Sequence, residues 1–443
     1  MKVIIIGGVA AGMSAASKIK RIDKNVEVIV YEKGEHISYG ACGLPYFVGG
    51  FNDDYTKMIA RSKEAFEAIG IEVKLKHEVL MIKEKDKKIL VHNHITGDTN
   101  IESYDKLVIS TGASVVVPPV KGVCRQEVYY LKTLEDGLKL QKVAQQPHIR
   151  NVIVIGAGYI GIEVVDAFLH LGKNVTCIEF GNHILAPFDS EISDVALDHL
   201  KQKGANIKLS EKVIEFTDAP VGCNVITDKT KYSADLVVMS VGVRPNTQFL
   251  ENTKINVAGN GAIIVDRQMR TSIPDIYAAG DCALVYHKSM QEDVYLPLGT
   301  TANKCGRIVG ENIMGAHKTF VGALGSAGIK VGDLELGRTG LKESDANRLK
   351  LNYKTVVVDS YDHPMYYPNP TIIKIKLIYE VGTKKILGAQ AIGEKGVILR
   401  IDMFAIAIHN EMTTDDLGMT DLIYAPPFAG VWDAVHIACN IAK

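Results

Sequence analysis

The sequence predicts an α/β chain built from two copies of one strand–turn–helix–strand unit, followed by an α+β segment. Three observations carry this expectation. An apolar strand pattern running into clustered glycines begins at Lys2 and again at Asn151. In each copy a helical stretch and a second strand follow, and that strand ends in an acid. From about Thr319 the texture changes to alternating strand patterns and then to helices, the mark of an antiparallel α+β layer.

The first unit reads as a strand Lys2 to Ile6, a turn holding Gly7 and Gly12, a helix to Arg21, and a strand Val26 to Tyr31 closing on Glu32. Val9 stands where the middle glycine of the usual fingerprint belongs. The second unit carries the whole fingerprint, Gly156, Gly158 and Gly161, then a helix to Leu171 and a strand Asn174 to Ile178 closing on Glu179. Such glycines let the chain turn sharply and let backbone approach a pyrophosphate, while the helix N-terminus offers free N–H groups. The closing acid accepts hydrogen bonds from ribose hydroxyls. Two such units predict two Rossmann-like dinucleotide-binding domains. Glu179 favours NADH over NADPH, because a carboxylate repels the extra phosphate and residues 180–185 bring no Lys or Arg.

Further strands run into glycine turns at Lys106 to Gly112 and Asp235 to Gly242. Pro118-Pro119 and Arg244-Pro245-Asn246 read as crossovers. In the third segment, strands are expected over Lys354 to Val358 and Ile372 to Tyr379, and helices over Gly396 to Asn410 and Thr414 to Leu422.

At 443 residues the chain is too long for one core, and three domains are expected. Lys plus Arg (50) nearly balances Asp plus Glu (51), so nothing points to nucleic acid or an anionic membrane. No apolar run approaches the ~18–20 residues of a membrane span, and the N-terminal run is too short for a signal-peptide core, so a cytoplasmic protein is expected. The seven cysteines (42, 124, 177, 223, 282, 305 and 439) form no Cys-x-x-Cys pair, which argues against both a disulfide framework and a metal site. All except Cys42 are read as ordinary buried residues. Cys42 lies in a Gly/Pro-rich loop that can present its sulfur.

Three further motifs make the chain resemble the FAD-dependent pyridine nucleotide-disulfide oxidoreductases. Thr271 to Asp281 is similar to the family's second flavin motif, which assigns Gly280 and Asp281 to the flavin's ribityl or pyrophosphate region. Ser110-Thr111-Gly112 looks like its short FAD–NAD junction, and Ser38 to Tyr46 looks like its redox-cysteine segment. The resemblance covers essentially the whole chain. It implies an FAD domain (1–112 and 246–318), an NAD(P)H domain (113–245) and a dimerisation domain (319–443). Tyr159 resembles the family's gate over the flavin, and Glu163 the acid near the nicotinamide.

Within the family, two-cysteine members carry a second cysteine where this chain has Phe47, and a His–Glu pair where it has Tyr424 to Phe428. The chain therefore looks like the single-cysteine branch: coenzyme A-disulfide reductases, NADH oxidases, NADH peroxidases and persulfide reductases. Peroxidases and water-forming oxidases of that branch carry a histidine where Ala10 stands. Coenzyme A-disulfide reductases use tyrosines of the partner subunit, matched by Tyr424 and by Tyr367 or its neighbour Tyr366. The expected cycle starts with a hydride from NADH to FAD and delivers electrons to a Cys42–S–S–CoA mixed disulfide in a homodimer. The flavin and a helix N-terminus are expected to hold Cys42 as thiolate. Arg21, Arg61 and Arg307 are candidate cations for coenzyme A phosphates, with Ser38 and Asn303 as polar neighbours. The alternatives are an NADH oxidase, a persulfide or polysulfide reductase (often extended by a rhodanese domain, absent through Lys443), and a flavin-binding regulator without turnover.

Overall fold

The computed structural model describes residues 1–442. The apolar runs of the first unit become the centre of a five-stranded parallel sheet. Its order is Ile276–Ala278, Lys106–Ile109, Lys2–Ile6, Glu27–Glu32, Ile71–Leu75. The second unit repeats that design with Asn206–Lys208, Asn174–Ile178, Asn151–Ile155, Leu236–Met239 and Val128–Tyr130. Ile4, Ile5, Val154 and Val238 are fully buried. A parallel strand covered on both faces is apolar throughout, which is why these strands read as continuous runs.

Expected strand and helix bounds in both units hold to within about two residues, the usual scatter at element ends. Each unit also carries a three-stranded antiparallel insertion that the apolar runs did not announce. These are His77–Lys83 with Lys88–Asn93 and Thr99–Ser103, and Val213–Asp218 with Cys223–Thr227 and Lys231–Ala234. Where two crossovers were expected, Ala113–Val115 and Val243–Pro245 pair with each other as one antiparallel ribbon.

The C-terminal segment forms a five-stranded antiparallel sheet ordered Ala327–Val331, Leu334–Gly340, Ile386–Gly393, Ile372–Glu380, Tyr353–Tyr361. The Val397–His409 helix packs on its middle strands, and the Ala434–Ile441 helix on Tyr353–Tyr361 and Ile372–Glu380. That last helix was not anticipated. It is short, opened by an Asp433 side chain that accepts from the Val435 N–H. The helix expected to reach Leu422 stops at Gly418, where an added Cβ would stand 2.5 Å from the Asn440 side chain of that last helix.

Candidate active site

The two glycine turns are built alike. Gly7 (φ 101°) and Gly156 (φ 98°) occupy the left-handed region, where a side chain would run into the backbone oxygens of Ser110 and Ser240. These serines end the neighbouring strands Lys106–Ile109 and Leu236–Met239. Each turn opens a 12-residue helix, Ala11–Ile22 or Tyr159–His170, whose N-terminus has no side-chain cap. The 15-residue Gly299–Ile313 helix, which packs against Ala11–Ile22, is uncapped too. By contrast, the Leu134–Ala144 helix carries a full Thr133/Asp136 capping box. Uncapped N–H groups at a glycine turn are what a pyrophosphate accepts from.

The strand-ending acids do more than expected. Glu32 accepts from the Gly8 and Gly34 N–H groups at 2.8 Å each. Glu179 accepts from Ala157 and Gly181 at 2.6 Å each. Each carboxylate thus ties its glycine turn to the following loop and keeps further lone pairs for another donor. Burial pushes the Glu32 carboxyl above its ordinary range, against the two N–H bonds that favour its charge.

Thr111 and Gly112 are braced by Asn246. The Thr111 hydroxyl donates to the Asn246 carbonyl at 2.7 Å, and the Asn246 amide donates to the Thr111 carbonyl at 2.9 Å. Gly280 (φ 91°) lies over Ala11, and Asp281 accepts from Lys132 at 3.0 Å. The buried Tyr295 hydroxyl near Asp281 has no partner. The glycine cradle, the uncapped Ala11–Ile22 and Gly299–Ile313 helices, and this orphan hydroxyl fit FAD on the first unit. Glu32, Asp281 and the Thr111–Gly112 junction are the residues that would hold it, and the second turn with Glu179 is built in the same way for a second dinucleotide.

Cys42 lies in a single 3-10 turn, Ala41–Gly43, and runs directly into the Leu44–Val48 helix. Leu44 and Val48 belong to the core of the second unit, and Leu44 packs on Gly137. At about 1.5–3 kcal/mol for each such buried side chain, this helix anchors the cysteine loop of one unit firmly on the other. Phe47 is only 1% exposed, so the position of the second cysteine in two-cysteine relatives is here a core residue. Ser38 (φ 52°) donates its N–H to the Gly8 carbonyl at 2.9 Å, and its own carbonyl accepts from Ala60 at 2.8 Å. It fixes the cysteine loop to the first glycine turn.

Cys42 is exposed at the surface of the chain, while five of the other six cysteines are buried. Cys124 is exposed, contrary to expectation, in the turn before Val128–Tyr130. The expected thiolate-stabilising environment is also revised. Desolvation pushes the Cys42 thiol up, Glu163 and Asp281 push it further, and only Lys132 and a local backbone bond oppose them. The helix after Cys42 has five residues, too few for a strong dipole. Glu163 itself is pushed up to about 7, chiefly by burial, against a 3.3 Å bond from the Tyr46 hydroxyl. Cys42, Tyr46, Glu163, Lys132 and Asp281 thus share one electrostatic neighbourhood. Sequence reasoning missed Lys132, because a lone lysine before a helix carries no motif, and it gave Tyr46 no role although Tyr46 closes the cysteine segment, because its bond to Glu163 spans 117 residues. The Tyr159 ring packs edge-on to Phe188 at 6.0 Å, and its buried hydroxyl has no partner.

The tyrosines form a second group. The phenol that meets Tyr424 is Tyr366, with the two hydroxyls 2.5 Å apart. Tyr367, the first choice from sequence, instead packs edge-on to His363 at 5.4 Å. His363 clasps this loop, its ring nitrogens facing Asp362 at 3.0 Å and the Pro368 carbonyl at 3.2 Å. Tyr366 and Tyr424 line a hollow of about 320 Å³ with Tyr361, Met365, Val431 and Trp432, and Cys42 of the same chain is not part of its lining.

Of the candidate cations, Arg21 and Arg307 are exposed. Arg307 pairs with Glu311 at 3.4 Å, as does Lys18 at 2.8 Å. Asn303 accepts from the Ser14 hydroxyl at 2.7 Å. Arg61 is engaged elsewhere: it donates to the Ala65 carbonyl at 2.8 Å and stacks over Phe66 at 4.6 Å. Among the described residues, no helix is long and apolar enough to cross a membrane.

Comparison with known proteins places these features. Residues 1–305 match the pyridine nucleotide-disulphide oxidoreductase family, and residues 326–435 match its dimerisation domain. The chain is 36% identical to the NAD(P)H coenzyme A polysulfide/persulfide reductase of Pyrococcus horikoshii, over 100% of this chain and 98% of that one. It is 31% identical to the coenzyme A disulfide reductase of Staphylococcus aureus over the full length of both. The water-forming NADH oxidase of Lactobacillus brevis superposes with a TM-score of 0.96 at 33% identity, covering 99% of this chain and 97% of that one. Two glycine-turn units, an exposed cysteine in a loop that joins them and both family domains agree: the chain belongs to the FAD- and NAD(P)H-dependent pyridine nucleotide-disulphide oxidoreductases.

Proposed function

We propose that this protein is a coenzyme A-disulfide reductase: NADH, a proton and CoA–S–S–CoA become NAD⁺ and two CoA thiols. The observation that carries this reading is Cys42, exposed beside Glu163 and Lys132 with a buried phenylalanine where a second cysteine would complete an internal disulfide. A lone sulfur cannot store two electrons as a disulfide within the chain, so it works with an external partner, and a low-molecular-weight disulfide supplies a sulfur for it. Cys42 thiolate attacks one sulfur of CoA disulfide, forming the mixed disulfide and releasing one CoA thiolate. FAD, when bound, would supply two electrons taken from NAD(P)H, and the mixed disulfide's S–S bond then breaks to regenerate Cys42 thiolate and free the second CoA as thiolate.

In this reading the chain works as a homodimer. Met365, Ile423, Phe428, Val431 and Trp432 form an exposed apolar face around the tyrosine hollow, which supports burial against a second copy. The Tyr366–Tyr424 pair of one protomer then serves Cys42 of the other, donating a proton to the departing CoA sulfur. Tyr366 replaces Tyr367 in that role because its hydroxyl, not that of Tyr367, meets Tyr424. Arg21 and Arg307 on the adjoining helices, with Asn303, receive the CoA phosphates. Ser38 positions the loop, and Arg61 drops out because its guanidinium is occupied. Ala10 in the first glycine turn supports a sulfur rather than an oxygen acceptor. Glu179 supports NADH as the preferred donor.

The full-length likeness to the Pyrococcus enzyme favours a second reading, reduction of a CoA persulfide or polysulfide by the same Cys42. Mass spectrometry of Cys42 as purified, with anaerobic NADH consumption on CoA disulfide, CoA persulfide and air, separates these. A CoA adduct and turnover with CoA disulfide are expected. Turnover with oxygen alone and no adduct on Cys42 refutes the proposal.

A further inference from the structure

We infer that the sheet of the dimerisation domain holds the NAD(P)H loop of the second unit through the buried cation Lys376, and that this staple sets the affinity for NAD(P)H. Lys376 sits on the Ile372–Glu380 strand and is 0% exposed. Its ammonium lies 2.8 and 2.9 Å from the two oxygens of Glu191 and 3.2 Å from Asp189, and also bonds Glu343. Asp189 and Glu191 open the Ser190–Gln202 helix, at the end of the loop that begins at Glu179.

Gln390, on the neighbouring Ile386–Gly393 strand, grips the same point from both sides. Its oxygen accepts the Asp189 N–H at 2.7 Å, and its amide donates to the Asp189 carboxylate at 2.7 Å. Arg338 donates to the Pro187 carbonyl at 2.6 Å, and Lys342 to the Ala186 carbonyl at 2.8 Å. Residues 186, 187, 189 and 191 are therefore each bonded to side chains of another domain. The loop's front end returns to the nucleotide turn. Leu185, buried and at φ 50°, donates its N–H to the Ala157 carbonyl at 2.8 Å, and Phe188 packs against Tyr159.

An ammonium without water persists only where carboxylates surround it, and such a cluster is specific in geometry rather than strongly stabilising. Freed from it, residues 180–191 would have to be ordered when the nucleotide binds, and that ordering is taken from binding affinity. Lys376 touches neither nucleotide nor flavin and is a positioning residue. The inference rests on NAD(P)H binding at the Gly156 turn.

The test is anaerobic stopped-flow bleaching of the FAD holoenzyme by NADH, which separates an apparent Kd from a limiting rate. Lys376→Met and Gln390→Leu should raise the Kd by about three- to thirty-fold, while the limiting rate stays within about twofold. Arg400→Met is the control, since it breaks another buried ion pair of the same domain, with Asp433, and shares no partner with the loop. It should lower thermal stability and leave the Kd unchanged. An unchanged Kd in folded Gln390→Leu and Lys376→Met, or an equal rise in Arg400→Met, overturns the staple. If Lys376→Met does not accumulate as holoenzyme, Gln390→Leu decides alone. Glu179→Ala tests the site assignment separately: if it leaves NADH affinity unchanged, the location of the nucleotide is wrong and the staple inference falls with it.

Discussion

Replacing Glu163 by glutamine should remove a proton that titrates near neutrality beside Cys42. Burial moves this carboxyl from 4.5 to about 7, a distance corresponding to about 3 kcal/mol against the charged form. Because the folded carboxyl is harder to ionise than the unfolded one, it contributes stability that is fully present below about pH 4.5 and lost as pH rises through about 7. Ionised Glu163 opposes formation of the Cys42 thiolate, and neutral Glu163 does not. Alkylation of Cys42 in the holoenzyme, followed by mass across pH 5.5 to 9, should therefore show an inflection near 7 in the wild type. Glu163→Gln should lose that inflection and react faster than wild type above it. Tyr46→Phe should move the inflection upward, since the phenol's hydrogen bond favours the ionised carboxyl. Infrared difference spectra should show a protonated carboxyl disappearing over the same range. Retention of the inflection in Glu163→Gln would refute the reasoning.

Cys42→Ser should bind FAD and be bleached by NADH at near wild-type rate, yet lose disulfide turnover by at least about a hundredfold in steady-state assays. Tyr366→Phe and Tyr424→Phe should each lower turnover about ten- to hundredfold, non-additively in the double variant, because one hydroxyl pair is broken either way. Gly156→Ala forces a Cβ to 2.5 Å from the Ser240 carbonyl oxygen at a positive φ, and should weaken NADH binding in the bleaching assay while FAD content stays normal. Arg400→Met leaves Asp433 buried and unpaired and should destabilise the domain by about 3–5 kcal/mol in denaturant titrations; adding Asp433→Leu should recover part of it.

Features written in short stretches were legible in the sequence. Gly7, Gly156 and their strands could be read because a left-handed turn after a buried parallel strand leaves a local and repeated signature. Cys42 stood out because its loop is rich in Gly and Pro. What could not be read depends on approach between distant segments. Lys132 matters because Asp281 comes within 3.0 Å of it across 149 residues of chain. The choice between Tyr366 and Tyr367 turns on which of two adjacent phenols meets Tyr424, and adjacent positions in a loop carry no periodicity to decide it. The three-stranded insertions alternate weakly, since strands such as Thr99–Ser103 bury almost nothing. Arg61 looked free because its partners, a backbone carbonyl and a phenyl ring, are not charged.

The thiol's environment shows why a motif alone misjudges a reactive group. The loop of Cys42 leaves from the first unit, but its next turn is buried in the core of the second, and the charges nearest its sulfur come from both. Glu163 belongs to the helix that opens at the second glycine turn, Asp281 to the turn after the Ile276–Ala278 strand, and Lys132 to the segment that leads into the Leu134–Ala144 helix. Any shift of the second unit relative to the first therefore changes the field on the sulfur and the reach of the nucleotide together. The C-terminal sheet fixes that second unit through Lys376 and Gln390. The field on Cys42 and the seating of the second glycine turn therefore depend together on the packing of three sheets that the chain visits separately.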